Sequence, residues 1–167
     1  MVVVKLETGE YLELPIESFM GVELEGISLH RAVFEFLDFS GASFTSCDLR
    51  NSVFYFCVLN GAKVERSSLI NAILTGSKMR ASNLSGSLLM FSDFVDVDLT
   101  KANLKDANVN ECDFRGADFS GADVSAIKLE TCKLERALYD STTIWPKDFN
   151  PAAYGLLKKE SGVGDRV

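Results

Sequence analysis

Four cysteines, one histidine and several closely spaced carboxylates are the residues of this chain whose types carry chemistry. Cys47, Cys57, Cys112 and Cys132 would serve as nucleophiles, disulfide partners or zinc ligands, and His30 as a general base. Asp96 with Asp98, and Asp113 with Asp118, would supply the paired carboxylates of acid–base work. Spacing removes most of these roles. No Cys-x-x-Cys pair occurs, and a lone histidine builds neither a metal site nor a triad. The carboxylate pairs carry no signal of a pocket around them, so no enzyme, cofactor or metal centre is expected.

The elements that would position these side chains are set by a period of five. Every fifth residue from Leu14 to Leu134 is Leu, Phe, Val or Met, twenty-five positions in one register. In a chain that is 47% hydrophobic, chance produces such a run with a probability of about 10⁻⁸. We call these positions the centres. Two residues before each centre, between Ala32 and Ala137, nineteen of twenty-two residues are Ala, Ser or Cys, the departures being Leu37, Val97 and Ile127. Two residues after it stand Gly21, Gly26, Gly41, Gly61, Gly76, Gly86, Gly116 and Gly121. Asp or Asn often stands immediately before it.

Extended backbone gives these columns one cause. Residues two apart share a face, so the centre and the small residue before it point inward while their neighbours point out. A period of five cannot continue as a flat strand, because alternation by two would put the next centre outside. A corner has to restore the phase, and glycine two after the centre supplies the backbone freedom it needs. Helical periods of 3.6 or 3.5 would smear the centres around the surface. Four five-residue sides close a square coil of twenty residues, stacked on the next at roughly 4.8 Å. The four cysteines fall in the small inward column and behave as large alanines. Cys112 and Cys132 lie one coil apart with parallel side chains, where free thiols are expected rather than a disulfide. His30 and Ser120, just after centres, are placed outside.

Residues 102 to 126, ANLKD ANVNE CDFRG ADFSG ADVSA, resemble the pentapeptide repeat family and its A(D/N)LXX pattern, over roughly residues 12 to 145. The resemblance implies an all-β fold, a right-handed quadrilateral β-helix, with a short C-terminal capping helix. Residues 139 to 157, YDSTTIWPKDFNPAAYGLL, look like the cap of cyanobacterial members. The domain reading is an N-terminal cap over residues 1–14, formed as a hairpin turning near Thr8-Gly9, and a repeat β-helix over 15–145. A capping helix over 146–160, opened by Asn150-Pro151, and a frayed tail over 161–167 complete it.

Outward positions carry the functional expectation. Val33, Val53 and Ile73 share one outward column, and Phe36 and Phe56 another, beside Tyr55 and Val95. Ile70, Leu88, Met90 and Phe91 come from the preceding side near the shared corner. One contiguous apolar patch along two sides is expected, which calls for a partner or a second copy as a homodimer. The leading reading is a non-catalytic, rigid module that binds a protein through its outer faces.

A formal charge of −7 argues against direct nucleic-acid binding. Charge is uneven: residues 93 to 140 hold eleven acidic against six basic side chains. Asp93, Asp96, Asp98, Asp113, Asp118 and Asp123 would then imitate the phosphates of a duplex. Some family members act this way on type II topoisomerases, gyrase among them, and the resemblance implies that alternative. Apolar runs are short and the opening Met1–Glu7 meets charge early, so neither membrane insertion nor export is expected and a cytoplasmic location is.

Overall fold

The computed structural model describes residues 1–160; the tail expected over 161–167 lies outside the described residues. All twenty-five centres are buried, none more than 7% exposed, in one continuous core. Bridges join residues twenty apart, from Glu23↔Ser43 through Asp118↔Leu138, so each side stacks in parallel on the side one coil later. From Gly21 to Gly121 every fifth residue has a positive φ, which places four left-handed corners in each coil. Eight of these corners are glycine, and the others include Phe36, Phe56 and Phe91.

One repeat shows why the columns exist. The Leu84 N–H donates to Asn103 O at 2.8 Å and the Gly86 N–H to Lys105 O at 3.0 Å, both in the next coil. The Leu88 N–H donates back to Ser67 O at 2.9 Å, and the Ser87 N–H closes the corner on Leu84 O at 3.2 Å. The remaining donor, Ser85 N–H, is taken by Asn83 Oδ1 at 3.2 Å. All five donors are thus partnered, as buried backbone requires. The Asp/Asn column exists to take the one N–H that the ladder leaves over. Inside, Ser67, Ser77 and Ser87 donate to Phe44 O, Phe54 O and Val64 O at 2.5, 2.6 and 2.5 Å, tying adjacent coils together.

Two of the three large residues in the small column depart from it, and both departures have structural causes. Val97 is buried as expected, whereas Leu37 and Ile127 are 38% and 50% exposed. At Ile127 the register slips: Asn108 bridges Ile127 rather than residue 128, and Ala126 takes the inward place. A left-handed Lys128 and the 3-10 turn Leu129–Thr131 recover the phase before Asp113↔Lys133. Ser120 also differs from expectation. It is 7% exposed, and its hydroxyl donates to Asp118 Oδ1 at 2.6 Å instead of facing solvent.

At the N-terminal end, β1 (Val2–Leu6) and β2 (Tyr11–Leu14) are antiparallel in register Val4↔Leu12. β1 is also antiparallel to β3 (Ala32–Glu35), pairing Lys5 with Val33, and β3 runs parallel to β4 (Val53–Tyr55). The first sheet therefore has the order β2-β1-β3-β4, with β1 inserted between the start of the coil and its second turn.

At the other end, the capping helix expected over 146–160 does not form. Pro151–Tyr154 makes a single 3-10 turn whose start is capped by Asn150 Oδ1, accepting from the Ala152 N–H at 3.2 Å. Gly155, at φ +75°, ends it. Leu156 then enters the core, and β6 (Leu157–Lys158) lies parallel to β5 (Leu138–Tyr139), so extended chain rather than helix covers the open edge. Trp145, Phe149 and Tyr154 stack in series over the last coil, with centroids 5.3 and 4.8 Å apart, and Trp145 meets the core residue Phe119 edge-on.

Candidate interaction surface

The apolar residues singled out on the outside are built from the ladder and its corners. Val33↔Val53 and Val53↔Ile73 are bridged in consecutive coils, which stacks the three aliphatic chains. Stacking hides the middle one: Val53 is 6% exposed and cannot meet a partner, while Val33 and Ile73 stay partly open. At the next corner Phe36 and Phe56 stack nearly parallel, with centroids 5.7 Å apart and planes 6° apart. Tyr55 continues the stack, 6.4 Å from Phe56. Phe36 is 76% exposed, more than any other buried-type residue of the coil.

Phe91 stands at the opposite corner of the same side, with Ile73 and Val95 between the two corners. Among the described residues no ring contact joins Phe91 to the Phe36–Phe56 pair, so the aromatic surface divides into two clusters. Leu88 is exposed, Met90 and Ile70 are half-buried, and Ile70 and Leu88 line one shallow hollow with Arg50 and Arg66.

The carboxylates are arranged differently. Asp93, Asp98, Asp113, Asp118 and Asp123 each accept the N–H two residues on, at 2.9 to 3.2 Å, and they occupy three different sides. Asp113 also receives a bidentate Arg115 and lies 3.7 Å from Lys133, and Asp118 pairs with Lys159. Burial raises the Asp113 carboxyl, but the Arg115 hydrogen bonds outweigh it and hold the group below the usual carboxylate range. Asp98 has a longer pairing with Arg80, 3.8 Å. Asp93, Asp96 and Asp123 have no ion-pair partner among the described residues.

Nothing brings the thiols and the imidazole together. Cys47, Cys57, Cys112 and Cys132 are free and buried, while His30 Nε2 meets Asn51 Nδ2 at 3.0 Å on the outside. The Cys112 Sγ donates to Leu89 O at 2.9 Å, the bond that Ser92 makes with Leu69 O one coil earlier. Among the described residues no three His, Cys, Asp or Glu side chains are grouped to hold a metal ion. None of the helical turns among them is long and apolar enough to cross a membrane.

A coil of stacked five-residue sides, each with a large apolar centre and most with a small residue two positions before it, defines a repeat β-helix. Family models described as "Pentapeptide repeat region" and "Pentapeptide repeats (8 copies)" match residues 62–139 and 18–55. The chain belongs to the pentapeptide repeat family. It is 31% identical to alr5209, a pentapeptide repeat protein from Nostoc Pcc 7120, over 73% of this chain and 84% of that one, with a TM-score of 0.32. It is 23% identical to the pentapeptide repeat protein Rfr23 from the cyanobacterium Cyanothece 51142, covering 75% and 88%, TM-score 0.46. It is 16% identical to QnrB1, a plasmid-mediated fluoroquinolone resistance protein, covering 84% and 85%, TM-score 0.39. No curated protein matches.

Sequence reasoning placed the outward columns but not the opening beside Leu37. There Val2, Val3, Val4, Phe19, Phe34 and Leu37 line a cleft of about 370 Å³ with Glu17 and Asp38. The available signal was Leu37 itself, a large residue in a column of small ones.

Proposed function

We infer that the chain is a non-catalytic, rigid interaction module that docks a protein partner on its outer faces, chiefly through Phe36, Tyr55 and Phe56, with Phe91 and Leu88 as a second contact. The observation that carries this is the exposed, stacked pair Phe36–Phe56 on left-handed corners. A left-handed conformation costs a residue with a side chain roughly 1 to 2 kcal/mol, and glycine fills the same position elsewhere in the coil. Two bulky rings held there in solvent contribute little to folding, which supports selection for contact. Val33, Ile73, Ile70, Met90 and Val95 would extend the apolar area.

The duplex-mimic reading has less support, because five of the six carboxylates cap backbone and Asp113 and Asp118 are in ion pairs. Twenty residues per coil with four corners supports the quadrilateral winding, and its right hand is what the family resemblance implies. Four free, buried thiols support a reducing compartment such as the cytoplasm. The same patch is the surface a two-fold homodimer would use.

Capture from source-cell extract, with wild type and Phe56→Glu as baits at 0.1 and 0.5 M salt, tests the assignment. Partners retained by wild type at both salts and lost with Phe56→Glu, at equal melting temperature, are the expected result. Undiminished capture by Phe56→Glu overturns it. Loss of wild-type capture at high salt alone would favour charge mimicry.

A further inference from the structure

Charge is concentrated at one end of the chain. Residues 1–38 hold eight acidic and two basic side chains, net −6, whereas residues 39–92 hold two acidic and five basic, net +3. None of those eight carboxylates is in an ion pair among the described residues, while Asp48, Asp113 and Asp118 further along are. Unpaired surface charge of one sign sets up a field that draws an oppositely charged partner and repels the same end of a second copy.

The Phe36 corner lies within this acidic end and differs from the corners that follow it. From Gly41 to Gly121 the residue after each corner is buried, but here Glu35, Phe36, Leu37 and Asp38 are all exposed. Phe56 stacks on one side of the Phe36 ring, which is still 76% exposed, so its other face is open. Leu37 adds an exposed aliphatic surface and lines a cleft with Asp38 and Glu17. The two basic residues of the stretch stand at the far end of β3, where Arg31 precedes Ala32 and Lys5 pairs with Val33. An open aromatic face, an aliphatic surface and unpaired carboxylates together fit one residue type. The guanidinium of arginine stacks on a ring, its methylenes seek apolar cover and its donors take carboxylates.

Resting on the reading that this stack is a contact surface, we propose that the partner is a protein whose basic segment docks an arginine here. Its guanidinium lies over the open face of Phe36, its methylenes rest against Leu37, and its charge meets Glu35 and Asp38. Lysine fits less well, because its compact ammonium is strongly hydrated and does not stack. The carboxylates of the acidic end steer the segment in, and the ring contact, acting at short range, retains it when salt screens the field.

The test titrates the full chain, its phenylalanine rings carbon-13 labelled, with acetylated and amidated hexapeptides that alternate glycine with arginine, lysine or citrulline. Citrulline keeps the shape of arginine without its charge. The arginine peptide should shift the Phe36 ring signals and bind about two- to threefold more tightly than the lysine peptide, and roughly fivefold more tightly than the citrulline one. Phe36→Leu should erase the preference for arginine over lysine, and Phe36→Tyr should keep it. The double variant Glu35→Gln/Asp38→Asn, which keeps the Asp38 acceptor for the Ser40 N–H, should weaken the arginine peptide about threefold with the melting temperature unchanged. Lysine or citrulline peptides that bind as tightly as the arginine one, or Phe36 signals that the arginine peptide leaves unmoved, overturn the arginine assignment. If capture from extract is still lost with Phe56→Glu, those results leave the patch reading standing. Undiminished capture by Phe56→Glu overturns that reading and this one with it.

Discussion

Phe56 Cδ1 lies 2.5 Å from where a Cβ on Gly76 would stand, so the ring of one corner occupies the side-chain space of the corner one coil later. Glycine is favoured there by the φ of +68°, which other corners meet with larger residues, and demanded by the ring. Gly76→Ala should displace Phe56 from its stack on Phe36 and cost roughly 1 to 2 kcal/mol, mostly as left-handed strain. Ring-to-ring nuclear Overhauser contacts and thermal melts read the two effects; a variant that keeps both the stack and the melting temperature would refute the account.

Inward and outward positions should separate sharply under substitution. Ala117 is fully buried, and Ala117→Leu should destabilise the coil by about 1 to 3 kcal/mol through overpacking. Ser120→Leu, although just after a centre, should cost about 1 kcal/mol or more, since it deletes the bond to Asp118 at a nearly closed site. Lys105→Leu at an open position should stay within about 0.5 kcal/mol. Denaturant midpoints rank the three, and a Ser120 variant as stable as the Lys105 variant would contradict this assignment.

The centres were legible because a buried column tolerates nothing polar, and the corners because glycine marks left-handed backbone. The Asp/Asn column was visible as a pattern, but its cause was not: the leftover N–H appears only once the other four donors of the repeat are paired. Ile127 and Leu37 were visible as exceptions, yet their positions depend on a one-residue slip and on the insertion of β1, which arise from distant strands competing for one edge. Val53 read as outward because its column is outward; its burial comes from Val33 and Ile73 closing over it. The aromatic corners were readable by type, whereas the cleft beside Leu37 was not, since it follows from antiparallel pairing of β1 with β3.

Acid should loosen the protein through its capping carboxylates. The Thr142 hydroxyl and N–H hold Asp140 below the usual carboxylate range, and the Ser40 side chain and N–H do the same for Asp38. Groups with depressed native values contribute stability that is present above the unfolded value near 3.9 and is lost as pH falls through the native one. Melting temperature should hold from pH 7 to about 5 and decline below about 4, and Asp140→Ala should decline less steeply from a lower starting point. Circular dichroism melts at pH 7 and pH 3 check this; parallel curves for wild type and variant would remove Asp140 from the explanation.

The thiols should be silent in the folded chain. Burial pushes Cys57 up to about 11 and Cys132 up to about 12, and raises Cys47 and Cys112 as well. At pH 8 the Cys57 thiolate is then present at about one part in a thousand, and the thiolate is the reactive form. A thiol-disulfide reagent should leave all four cysteines unmodified in native protein and titrate four on unfolding. Because Cys112 Sγ donates to Leu89 O as the inward serines do to their carbonyls, Cys112→Ser should melt close to wild type. Cys112→Ala, which leaves that donor missing, should lose about 0.5 to 1.5 kcal/mol. Rapid native labelling, or a serine variant less stable than the alanine one, would show that the thiol does something in the core other than fill space and satisfy a carbonyl.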